Sequence, residues 1–273
     1  MVSKSFSFQL GRGVVCLAFA LLAGCSGFGR PSPIEGRQVN IGTCSPTPCV
    51  KVDLGGTPLF NAQLAPEVET KIQREITAAL YASLDIESAT PSRDGLLQEV
   101  DARYREYSEI SDAPIDWSLT RRAVVLAETS EVVSVEVFSE GYLGGAHGFS
   151  DRILMTFDAQ TGSRLSVGDI VDESSRGMLV RVIEAEFRRA RKVERGQSLQ
   201  VAGFFILPGQ EMPISDNFAI TSDGLQVQYN PYEIAPYSMG ATRVLVPWEA
   251  LEPLLKSGRL SMAKSDTPHT MSR

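Results

Sequence analysis

Histidine is nearly absent from this chain: there are two, His147 and His269. So few imidazoles leave little for a histidine-built metal centre, and the H-E-x-x-H helix of zinc proteases does not occur. The G-x-S-x-G elbow of serine hydrolases is missing too, as is any glycine-rich loop of phosphate-binding form. No cofactor and no metal are therefore expected. Basic residues are outnumbered, 26 Lys and Arg against 33 Asp and Glu, for a net charge of −7. Nucleic acid is excluded as a partner, because phosphate binding needs a basic footprint. Carboxylates are so numerous that any glycosidase-like pair picked from them would be arbitrary. There is no internal repeat. No apolar run approaches the roughly 20 residues that a helix needs to cross a bilayer.

The longest run near the start, Gly13 to Gly24, follows a short n-region carrying Lys4 and Arg12. An apolar core of this kind ending in small residues reads as a cleaved secretory signal, residues 1–24. Leu22-Ala23-Gly24-Cys25 resembles the lipobox of bacterial lipoproteins, in which the cysteine thiol is acylated and the chain is cut just before it. Cys25 is thus the expected lipidation site, a palmitate-type membrane anchor. Each buried methylene contributes roughly 0.8 kcal/mol, so several chains on one cysteine hold firmly where a single chain holds weakly. Cleavage removes Lys4 and Arg12 and no acid, taking the net charge from −7 to −9. The mature protein is expected in the cell envelope, outside the cytoplasm. In a host with two membranes, Ser26 in place of an aspartate points to the outer membrane, facing the periplasm. Cys44 and Cys49 remain, in CSPTPC. An oxidising compartment favours their pairing as a disulfide, worth roughly 2 kcal/mol for so short a loop. Two ligands of a metal site are the rival reading.

Residues 25–37 form an acylated, Gly-, Pro- and Ser-rich tether. Val50, Val52 and Leu54 alternate as a strand. Pro66 opens a helix with Val68, Ile72, Ile76, Ala79 and Leu80 on one face. A second helix is expected from Asp94 to Ile110, its stripe Leu97, Val100, Tyr104 and Tyr107. These elements make up an N-terminal half, residues 38–112. Strands follow in residues 113–256: the short run Ala123–Ala127, then Val133, Val135 and Val137, with Ser134 and Glu136 on the solvent face, then Ile153, Met155 and Phe157. Asp172 is expected to cap a helix reaching Val193, with Leu179, Val182, Ile183 and Phe187 as its buried stripe. Ser222-Asp223-Gly224 joins Phe218–Thr221 to Leu225–Asn230 as a hairpin. Val244 and Val246 mark another strand, and Trp248–Leu255 a closing helix. The polar tail is residues 257–273. Helices in blocks and strands beside strands argue an α+β fold, a mainly antiparallel sheet packed against helices.

Two segments stand out: GYLGGAHGFSDRILMTFDAQTGSRLSVGDIV, residues 141–171, and TSDGLQVQYNPYEIAPYSMGATRVLVPW, residues 221–248. With Gly144, Gly145, Ala146 and His147, then Thr161 and Gly162, then Asn230 to Tyr237, they resemble the extracytoplasmic RsiV-type domain. That domain is found in the anti-sigma factor RsiV and as the accessory domain of the deacetylase PdaC. The resemblance implies an α+β fold, no catalysis by the domain itself, and in RsiV a sensor that binds lysozyme. The chain has neither a cytoplasmic sigma-binding segment nor a retained membrane helix, so direct sigma-factor control is not expected.

The candidate binding residues are Gly144, Gly145, His147, Tyr232, Glu233 and Tyr237. If the two segments adjoin, these side chains line one cleft. His147 with Glu233 could also form an acid/base pair. The bland alternative is a structural corner, with glycines turning the chain and His147 bonded to a nearby carbonyl. Arg188, Arg189, Arg191 and Lys192 are either a contact for anionic glycans or headgroups, or a solvated helix end suited to the helix dipole. Phe204, Phe205 and Leu207 are expected in the core, with an exposed loop that contacts a partner as the alternative. The resulting reading is a lipid-anchored envelope protein with a non-catalytic binding or sensor domain. Its ligand would be a protein, lysozyme-like for instance, or peptidoglycan. An envelope hydrolase using His147 and Glu233, or a purely structural lipoprotein, are the alternatives.

Overall fold

The computed structural model describes residues 37–41, 49–84, 91–257 and 260. Cys25, Cys44, His269, the signal and nearly all of the tether and tail lie outside them. In chain order the elements are β1 (Arg37–Ile41), β2 (Val50–Leu54), α1 (Pro66–Leu80), α2 (Arg93–Ile110), β3 (Trp117–Glu128), β4 (Val132–Tyr142) and β5 (Phe149–Asp158). They continue with α3 (Val167–Ile170), α4 (Arg176–Arg191), β6 (Phe218–Thr221), β7 (Gly224–Tyr229), β8 (Thr242–Pro247) and α5 (Trp248–Leu251). The fold is α+β, built on two sheets ordered β1-β2-β3-β4-β5 and β6-β7-β8. Every pairing is antiparallel except β2 with β3.

The first sheet buries one face under α1 and α2. Val68, Ile72, Ile76 and Leu80 recur at helical spacing along α1 and meet Ala123, Val133, Val135, Val137, Met155 and Phe157. Ser92 caps α2 by accepting the Gly95 N–H. On α2 it is Leu96 that is fully buried beside Val100, while Leu97, expected in the stripe, is only partly covered.

The other face of β4 departs from expectation. Ser134 and Glu136 do not face solvent; both are buried. The second sheet covers them, because the outer edge of β6 needs hydrogen-bond partners and Ser134 and Thr156 supply them. The Ile220 N–H donates to both hydroxyls, each at 3.2 Å, and Thr156 Oγ1 lies 3.4 Å from Phe218 O. A buried polar row thus replaces a strand partner. Beside it, Glu136 accepts from Arg152 and from Arg243 (2.6 Å), and Arg243 Nε donates to Gln228 at 3.0 Å. These bonds compensate the burial of the carboxylate.

The second sheet and α4 enclose the larger core, with Leu179, Val180, Ile183 and Phe187 against Phe218, Val227, Tyr229 and Val244. Asp172 caps a short 3-10 turn, Glu173–Ser175, and not α4 directly. The expected closing helix divides into α5 and a second such turn, Glu252–Leu254. Gly224 ends the β6–β7 turn with φ at +137°, and a Cβ there would lie 2.1 Å from Val246 O.

Candidate functional site

The connection between β4 and β5, residues 143–148, is glycine-rich and folds back over Trp117. Gly144 has φ +80°, and a Cβ on it would fall 2.8 Å from Trp117 Nε1. Only glycine suits both conditions. Trp117 is seated against Tyr104 and Tyr107 at centroid distances of 5.4 and 5.1 Å, so the loop rests on a firm aromatic floor. Tyr142 adds a bond from its hydroxyl to Gly145 O at 2.7 Å.

This loop delivers His147 to the 230–237 segment. Its imidazole stacks on Tyr237 with centroids 3.8 Å apart and planes 18° from parallel. Nδ1 lies 2.7 Å from Gly148 O. A carbonyl only accepts, so Nδ1 carries a proton, and Nε2 pairs with the Tyr232 hydroxyl at 3.3 Å. The Tyr237 hydroxyl also donates to Gly148 O. Tyr232 and Tyr237 lie 5.7 Å apart, completing a three-ring surface. Tyr232 is 61% exposed and holds a left-handed backbone, φ +70°. Such a conformation is costly for a bulky residue without glycine's freedom.

Glu233 takes another direction. Both His147 nitrogens are engaged, and neither with Glu233. Its backbone N–H donates to Asn230 O at 3.2 Å. Burial of the Glu233 carboxyl raises its pKa; the backbone and side chain of Asn230 beside it oppose the rise, and the nearby Asp151 charge adds to it. The pKa of Asp151 is raised by burial as well, against the pull of Arg121. Asn230 in turn accepts from the Arg152 N–H at 3.0 Å and donates to Arg152 O at 2.9 Å. Asn217 repeats the device, accepting from the Leu154 N–H (2.6 Å) and donating to Arg152 O (2.9 Å). Two amide side chains thereby stand in for a strand along the open edge of β5. Asn217 lies in PISDN, whose local residues suggest only a turn, and that hides this role.

Of the expected site residues, then, His147, Tyr232 and Tyr237 meet. Gly144 and Gly145 shape the loop that carries the imidazole. Glu233 meets Asn230 instead. Phe204 is buried, but Phe205 and Leu207, expected in the core, are 55% and 49% exposed. The Phe205 N–H donates to Ile234 O at 2.8 Å. Burial alternates along this stretch: Phe204 turns inward onto Phe187 and Ile206 is buried as well. Arg188 is spent on Glu184 and on the carbonyls of Glu194 and Gln197, Arg189 on Glu186, and Arg191 on Met239 O. Lys192 ends α4 in a left-handed conformation. Cys49 is disulfide-bonded. Among the described residues no group of three His, Cys, Asp or Glu is placed to hold a metal, and no helix is long and apolar enough to cross a membrane.

No curated protein matches the sequence. A crystal structure of a DUF3298 family member from Bacteroides fragilis is similar in fold, with a TM-score of 0.60 at 18% identity. The match covers 82% of this chain and 94% of that one. A DUF3298 family protein from Pseudomonas aeruginosa aligns with a TM-score of 0.56 at 19% identity, covering 83% and 96%. The family model described as "Protein of unknown function (DUF3298)" matches residues 169–249, a stretch that holds α4, the second sheet and the Tyr232 loop but not His147. The chain therefore carries a DUF3298 match in its C-terminal part, on a fold shared with two DUF3298 proteins.

Proposed function

We propose that this chain is a cell-envelope lipoprotein, anchored through acylated Cys25, whose α+β body binds a ligand without turning it over. The binding face would be the three-ring surface of His147, Tyr237 and Tyr232. One observation carries this reading: a bulky aromatic residue is held in a left-handed backbone and left mostly in solvent. Exposed strain gains nothing for the core, and strain of this kind collects at functional sites. The resemblance to RsiV-type domains supports a sensor or binding role toward a lysozyme-like protein or the cell wall. The bond engaging Cys49 is consistent with a Cys44–Cys49 disulfide.

A hydrolase acting through His147 and Glu233 draws no support from the geometry. The imidazole is committed to Gly148 O and Tyr232, and no hydrogen bond joins it to Glu233. Proton transfer needs the two groups within hydrogen-bond reach.

Two experiments test the proposal. Cys25→Ser should move the protein from the membrane to the soluble envelope fraction; an unchanged membrane fraction would count against the anchor. Envelope extract passed over immobilised protein should leave a ligand on the wild type that Tyr232→Ala fails to retain. Equal retention by both would remove this face from the account.

A further inference from the structure

We propose that residues 144–148 are a flap, shut over the edge of Trp117 and latched there by side chains, chiefly those of the three-ring surface. Only the last step below, regulation of that surface, rests on the binding role assigned above.

The backbone does not hold this segment. The β4–β5 ladder ends with Gly141 opposite Phe149. Leu143 and Phe149, at the two roots, pack against the Trp117 cluster. Between them, among the described residues, no peptide group of residues 143–147 bonds to another peptide. The bonds that tie the loop come from side chains. The Tyr142 hydroxyl donates to Gly145 O at 2.7 Å, and that of Tyr237 to Gly148 O. His147 stacks on Tyr237 and meets the Tyr232 hydroxyl. Gly145, Ala146 and His147 are exposed. A segment with few buried contacts and no ladder bonds opens at low cost.

What the loop covers works against the latch. Trp117 is 7% exposed, and its indole Nε1 has no hydrogen-bond partner. A buried N–H left unpaired is a cost that the shut form carries. Gly144 seals that edge: a Cβ on it would lie 2.8 Å from Nε1 and 3.0 Å from Cε2 and Cζ2. Lifting Gly144 returns the N–H to water. The Tyr104 hydroxyl, on the ring that meets Trp117 edge-on, is buried and unpaired too. Trp248 differs, its indole donating to Thr221 O at 3.1 Å and Ser222 O at 2.9 Å. Stacked rings favour the shut form and an orphaned donor favours the open one, which makes the loop a two-state element.

His147 rides on the flap, whereas Tyr232 and Tyr237 belong to the facing segment. Opening therefore parts the three rings, and flap and surface share one equilibrium. A ligand that bridges the imidazole and the tyrosines binds the shut form and pulls the flap closed.

The test is acrylamide quenching of tryptophan emission in the full chain, solubilised in mild detergent. The chain has two tryptophans, so Trp248→Phe leaves Trp117 as the reporter. Quenching should be weak while the flap is latched. Adding His147→Ala removes the stack and the Tyr232 contact, and should raise the quenching constant about threefold or more. Gly144→Ala should raise it as well, because its Cβ displaces the loop from the indole. Tyr237→Phe keeps the stack and loses only the bond to Gly148 O, so its rise should be smaller. Each variant should keep a cooperative thermal melt within about 5 °C of its parent. Unchanged quenching on His147→Ala overturns the inference. So does a rise accompanied by a larger fall in the melt, since the loop would then be part of the folded core. Retention of the envelope ligand separates flap from surface. If His147→Ala opens the flap yet retains the ligand as the wild type does, the flap stands and the three-ring binding face falls. If quenching does not respond and Tyr232→Ala still abolishes retention, the flap falls and the face stands.

Discussion

Tyr229 and Tyr232 are near neighbours on one segment and obey opposite physics. Tyr229 closes β7 with 1% of its surface exposed, among Phe187 and the apolar residues of the second sheet. Its hydroxyl donates to Pro213 O at 2.6 Å, and burial, helped by the Glu233 charge, pushes its pKa well up. Every feature of that residue lowers the energy of the fold. Tyr232 sits where the chain leaves the sheet. It is exposed, its backbone is strained, and its hydroxyl serves a histidine at the surface. The strand half of the segment carries stability, and the loop half carries a feature that stability does not explain.

The largest expected effect falls on the strand half. Tyr229→Ala should lower the unfolding free energy by about 3–5 kcal/mol, as for other buried aromatic truncations, read from urea titration. A loss below about 1 kcal/mol would show that the contrast between the two tyrosines is overdrawn. Next is the buried carboxylate between the sheets. Glu136→Ala leaves Arg152 and Arg243 without their partner; because both guanidiniums keep access to water, about 2–3 kcal/mol is expected in the same measurement.

A smaller effect sharpens the loop half. The pKa of Glu233 is raised in the folded protein. The native state thus holds that proton more tightly than the unfolded chain. Stability from this group is full below its ordinary pKa, falls as pH rises through the folded value, and stays reduced at neutral pH. Glu233→Gln keeps an acceptor beside Asn230 and removes the charge. Its melting temperature should match the wild type in acid and exceed it modestly at neutral pH. A variant that is less stable at neutral pH would mean the carboxylate is favourably placed after all.

Much of the fold is legible in the sequence where one periodicity meets one environment. The alternation of Val50 to Leu54 marks β2, and Pro66 to Leu80 carries both the start signal and the apolar face of α1. Legibility fails where one layer answers another. Ser134 and Glu136 read as solvent-facing because nothing local shows that β6 will bring its edge N–H to the one and Arg243 its charge to the other. β1 was likewise not foreseen, lying in a stretch without a clear apolar pattern. At the site, the glycines around His147 and the proline-flanked tyrosines are visible as unusual segments, but their meeting is a product of tertiary structure. Tyr232 and Glu233, adjacent in sequence and both exposed, differ in their tertiary contacts: the tyrosine hydroxyl meets His147 Nε2, and the Glu233 N–H donates to Asn230 O.

Tyr232→Gly is the most direct test of the central claim, that this residue is kept for contact and not for folding. Glycine accepts φ +70° without strain, and little buried surface is lost with the ring. Urea unfolding should show stability unchanged or raised by up to about 1 kcal/mol, with the chain's ligand no longer retained. A destabilisation of about 2 kcal/mol or more would make Tyr232 a structural residue and contradict the account.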